Sequence, residues 1–135
     1  MIPPPPISVP ESVGLVPPNA LGAFYERAAI VCVPSRREGY GMVAREAMAH
    51  GRPVVATRVG GLVDAVDDGV NGLLVDRCDL RAALERLLAD PQLCSRLGAA
   101  ARDRARRDWS WSAAAGAQVA VYEAASYDAP LRRTT

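Results

Sequence analysis

The chain has no lysine; all 16 of its basic residues are arginine. The bias is one of composition, yet any chemistry that needs a lysine amine must be supplied from elsewhere. Charge of one sign is also missing in excess. The formal net charge of +1 gives no electrostatic case for nucleic acid or an anionic membrane surface. The three cysteines, Cys32, Cys78 and Cys94, are odd in number and show no C-x-x-C spacing. They read as free thiols in a reducing compartment, neither a disulfide framework nor a zinc site. No basic segment leads into an apolar one at the start, so no secretory signal is expected. No apolar run approaches the ~18 residues of a membrane span. The expected compartment is the cytoplasm, with a peripheral position at the inner face of the membrane as its variant.

What is there suits one domain with a modest core: 135 residues, half of them apolar and 23% charged. Residues 1–12 are proline-rich and read as an extended lead. Residues 128–135 read as a polar tail, leaving 13–127 as the domain.

Within it, short apolar runs alternate with helical patterns. Val13 to Val16 is a strand candidate. Asn19 is placed to cap a helix carrying Leu21, Phe24, Tyr25 and Ala28 on one side. Ile30 to Val33, Pro53 to Thr57 and Leu73 to Val75 read as buried strands. Helices are expected from Met42 to His50, with Gly51 as its C′ residue, and near Leu62 to Val66. Asp79 and Asp90 each stand where a cap would start a helix, the second followed by Pro91. The Trp109 to Trp111 junction, expected to pack the last helix, precedes an alanine-rich helix running to about Ser126. Strands apolar on both faces, alternating with helices, predict a parallel sheet in an α/β layer fold.

The informative stretch runs from Pro34 to Gly51, after a strand and into a helix. Parallel α/β folds bind ligands there, beyond the carboxyl ends of the strands. Gly39 and Gly41 let the backbone come close to a ligand. The N–H groups of Tyr40, Met42 and Val43, with the helix dipole behind them, favour an anion such as a diphosphate. Glu38 in the loop and Glu46 a turn into the helix bracket the same mouth, and carboxylates accept hydrogen bonds from vicinal hydroxyls. A phosphorylated, hydroxyl-rich ligand fits that set.

Glu38 and Glu46 are separated by seven residues, within P-S-x-x-E-G-Y-G…E-A-M-A-x-G-x-P-V-V-A-T. This resembles the E-x7-E signature of the group 1 (family 4) retaining glycosyltransferases. The resemblance continues through Val59 to Val66, Asp68 to Val75, the Asp79 helix and the Trp109 to Trp111 junction, covering roughly 13–126. It implies a Rossmann-like α/β domain, the C-terminal, donor-binding part of a two-domain GT-B fold. By that resemblance Glu46 binds the ribose hydroxyls, and Glu38 is the candidate catalytic residue, contacting the hydroxyls of the donor sugar. The backbone of Gly39, Tyr40, Gly41, Met42 and Val43 holds sugar and diphosphate. Thr57, Gly60 and Gly61 line the nucleotide side. The implied donor is a nucleoside diphosphate sugar, with no cofactor and no metal. The implied acceptor is a sugar, a lipid or a small molecule.

Two features depart from the family pattern. The acceptor-binding domain of some ~200 residues is not in this sequence. Nor are the Arg and Lys that clamp the diphosphate. Transition-state charge is a large catalytic term, so these residues by themselves are expected to be inactive, and a separate acceptor-domain chain is a conceivable partner. The alternative of a different class is a non-catalytic nucleotide- or partner-binding remnant. A third reading, an NADP-binding fragment, takes Gly39 to Ala44 as G-x-G-x-x-A and Arg58 as its phosphate contact. Four residues between Pro34 and Gly39 argue against it, because that fingerprint needs its turn at once. His50, at a helix C-terminus, and the Arg102 to Arg107 cluster, interleaved with Asp103, are expected to be bland: a dipole contact and a solvated face.

Overall fold

The structure, a computed structural model, describes residues 12–127. The polar tail and all but Ser12 of the proline-rich lead lie outside them. Helix α1 (Pro18–Arg27) precedes strand β1 (Val31–Val33), α2 (Met42–Ala49), β2 (Val54–Thr57), α3 (Gly61–Ala65) and β3 (Gly72–Val75). A 3-10 turn (Arg77–Asp79) leads into α4 (Leu80–Ala89), α5 (Pro91–Asp108) and α6 (Trp111–Tyr127).

The expected parallel sheet is present, in the order β1-β2-β3. β2 is central and wholly buried, which is why it is apolar from Val54 to Ala56; the buried Thr57 ends it. Alternation sends Val54 and Ala56 into one core, with Val33, Leu74, Met48 and Leu62. It sends Val55 into the other, with Leu73, Leu87 and Leu97. α2 covers the first face and α4 the second.

Several local expectations are corrected. Val13 to Val16 forms no strand; Leu15 is fully exposed, and no described strand pairs with that segment. Asn19 lies inside α1, whose cap position is Pro17, so proline geometry rather than an Asn side chain starts the helix. Asp79 ends the 3-10 turn and makes no capping hydrogen bond. Cys32, expected to be buried, is exposed, because α4 packs on β2 and β3 and leaves β1 uncovered on that face. Trp111 is 92% exposed and packs nothing, whereas Trp109 lies against the first core.

Other expectations hold. Asp90 accepts from the Leu93 N–H, with Pro91 opening α5. At the end of α2 the N–H groups of Gly51 and Arg52 reach the carbonyls of Met48 and Ala47, the paired bonds of a Schellman motif. Among the described residues no helix is long and apolar enough to cross a membrane.

Candidate functional site

Two strand-to-helix loops meet at the carboxyl edge of the sheet. One runs from Pro34 to Gly41, between β1 and α2; the other from Arg58 to Gly60, between β2 and α3. The buried Thr57 hydroxyl donates to the Ser35 carbonyl at 2.7 Å, tying the end of β2 to the first loop. The Gly61 N–H donates to the Glu38 carbonyl at 3.1 Å. A Cβ on Gly60 would collide with that same carbonyl, and one on Gly61 would lie 2.6 Å from Tyr40 Cα. The two glycines thus serve loop-to-loop contact. Thr57, Gly60 and Gly61, expected to line the nucleotide side, lie against the first loop at its Ser35 to Tyr40 backbone.

The mouth itself is formed by Gly39 to Val43. Gly39 faces open space. Gly41 is buried over Leu62 with φ 77°, a left-handed turn that starts α2, so it shapes the helix entry rather than touching solvent. No side chain caps α2, so its first-turn N–H groups have no side-chain acceptor and carry the positive end of the dipole. Tyr40, Met42 and Val43 are all exposed around it.

The two acids have different surroundings. Glu38 turns back on its own loop, accepting from the Gly41 N–H and the Ser35 hydroxyl, each at 3.2 Å. Glu46 accepts from the Tyr25 hydroxyl at 2.7 Å. It stands between a hollow of about 420 Å³ beside Tyr25 and His50 and a smaller one of about 260 Å³ beside Tyr40 and Trp109. Glu38 lines neither. Sequence reasoning placed both acids at one mouth; they flank the start of α2 without a shared partner. A carboxylate has about four acceptor positions, so each keeps capacity for hydroxyls.

Tyr25 was read only as a helix face residue. Its hydroxyl is held well above the ordinary tyrosine range, first by burial, then by the Glu46 hydrogen bond and charge. Its ring stacks on His50 at 5.3 Å, so the histidine packs at the cap of α2. Arg45, not singled out either, donates from Nε to the Tyr40 carbonyl at 3.0 Å. Its guanidinium lies 4.0 Å from the Tyr40 ring centroid and 4.4 Å from that of Trp109. Its neighbours are 5 and 64 positions away in the chain, so nothing local announced the second contact. Arg58, the phosphate contact of the NADP reading, instead donates to the Leu74 carbonyl and pairs loosely with Asp68.

Residues 11–104 match the family model described as glycosyl transferases group 1. The chain belongs to that family. Among curated relatives, a D-inositol 3-phosphate glycosyltransferase from Corynebacterium diphtheriae is 47% identical over 109 residues, 78% of this chain and 25% of that protein. The chain therefore spans about a quarter of the length of the curated relatives it matches. Among solved structures, sucrose-phosphate synthase from Thermosynechococcus elongatus superposes with a TM-score of 0.76 at 37% identity, covering 87% of this chain and 30% of that one. HepE from Anabaena, solved in complex with UDP and with UDP-glucose, superposes with TM-scores of 0.67 and 0.65 at 26% and 25% identity, covering 76% of this chain and 29% of that one. As a group 1 glycosyl transferase, the chain is a partial C-terminal domain of the GT-B fold, Rossmann-like and α/β.

Proposed function

We propose that this chain is the donor-binding part of a retaining glycosyltransferase and takes a nucleoside diphosphate sugar. The observation that carries the proposal is the uncapped start of α2, reached through open Gly39 and flanked by Glu38 and Glu46. The diphosphate lies on the first-turn N–H groups, Glu46 takes the ribose hydroxyls and Glu38 those of the sugar. The UDP and UDP-glucose complexes of HepE make uridine the first base to try. The name of the Corynebacterium relative makes an inositol phosphate the first acceptor to try. The diphosphate charge is offset by dipole and arginines, without a metal. These residues alone bind donor without multiple turnovers.

A thermal-shift titration of the purified chain with UDP, GDP, ADP, their sugars and NADP tests this, with Glu46→Ala as control. A shift with one nucleoside diphosphate, lost in the variant, supports the donor site and names the base. A shift with NADP alone supports the dinucleotide reading. A cooperative melt with no shift favours a non-catalytic remnant.

A further inference from the structure

We propose a second anion site, for a phosphate or diphosphate group, between α5 and the turn joining α2 to β2. It lies at the opposite end of the sheet from the donor mouth and does not rest on the donor reading. Its walls include Ala29, just before β1, and Pro53, just before β2, and it encloses about 520 Å³.

The structure divides the arginine cluster of α5, which sequence reasoning treated as one solvated face. Arg104 pairs with Asp67 and Asp108, and Arg107 with Asp108. Arg102 and Arg106 instead line the cavity together with Arg52. The lining thus holds three arginines and a single acid, Asp103. Among the described residues none of the three has an ion pair. Arg102 donates to the His50 carbonyl at 3.0 Å. Arg52 has a buried Nε with no acceptor.

Arg102 and Arg106 are four positions apart on α5, where like charges repel. A bound oxyanion relieves that repulsion and supplies acceptors to planar donor forks that suit phosphate geometry. The close approach is built in. A Cβ on Gly98 would strike the Gly51 carbonyl, so the glycine in α5 is what lets the turn carrying Arg52 sit against the helix. Ser95 adds a neutral hydroxyl to the lining. The volume exceeds that of one phosphate, so a phosphate ester fits, whether a soluble metabolite or a lipid headgroup.

The test is a pyrophosphate titration of the isotope-labelled chain at fixed ionic strength, following backbone amide NMR shifts. Saturable shifts at Gly51, Ser95 and Gly98 are expected. They should weaken about tenfold in Arg52→Gln and in Arg106→Gln, each removing a charge-assisted pair. Arg106 is exposed, so its variant keeps the test valid if the Arg52 variant fails to fold. Shifts confined to residues 39–43, shifts indifferent to both substitutions, or no shifts at all overturn the site. Co-sedimentation with phosphatidic acid vesicles but not phosphatidylcholine vesicles, displaced by pyrophosphate, identifies a lipid headgroup. Its absence alongside the amide shifts identifies a soluble phosphate ester.

Discussion

The Tyr25 hydroxyl donates to Oε2 of Glu46 across 2.7 Å, joining α1 to the acid proposed to hold the ribose. A hydrogen bond to a carboxylate fixes the direction in which its remaining lone pairs point. Tyr25→Phe keeps the ring and its stack on His50 while removing that bond. The expected loss of stability is about 1–2 kcal/mol, read from the midpoint of urea denaturation. A midpoint equal to that of the wild type would sink the claim.

The same contact sets a pH dependence. The Tyr25 proton is held more tightly in the folded chain than in the unfolded one. Its contribution is therefore complete below the unfolded tyrosine value of about 10 and shrinks as pH rises above it. Wild-type stability should fall more steeply than that of Tyr25→Phe above about pH 10. Parallel slopes in paired alkaline denaturation series would contradict this.

Gly60→Ala addresses the loop contact. The new methyl meets the Glu38 carbonyl, and φ at this position is 45°. Backbone against backbone cannot be relieved by turning a side chain. A destabilisation of about 3 kcal/mol or more is expected, together with loss of any nucleotide-dependent thermal shift. A variant as stable as the wild type would show that the two loops are not in contact.

Arg45→Ala removes one hydrogen bond and two ring contacts at once. The cost should be about 1–2 kcal/mol. Arg45→Lys should recover little of it, since a lysine lacks the planar group that stacks on both rings. Calorimetric melting of the two variants checks this, and full rescue by lysine would refute the stacking account.

Much of the framework was legible because it depends on neighbours in the chain. β2 is apolar from Val54 to Ala56 because both its faces are covered, and Gly51 ends α2 by local backbone geometry. The loop and helix carrying Glu38 and Glu46 also follow from local signals. What was missed depends on partners far along the chain. A β-rich run such as Val13 to Val16 is a strand only if another strand lies beside it, and here none of the described ones does. Asp79 lost its capping role to a tighter turn before α4. The contact of Gly60 and Gly61 with the Glu38 to Tyr40 backbone joins positions more than twenty residues apart, so no local signal announced it. Arg52, Arg102 and Arg106 became a group only when Gly98 brought α5 against the α2 end.

Strand order in the sheet is also chain order. Val31 pairs with Val54, and Val54 with Gly72, so each pairing closes a loop of only about twenty residues. Short closures keep the entropy of search low, and chains dominated by them fold fast. Emerging from a ribosome, each strand finds the neighbour made just before it, and the two loops of the candidate mouth, which follow β1 and β2, are drawn together as β2 docks on β1. The order in which the residues are made is thus the order in which the site is assembled.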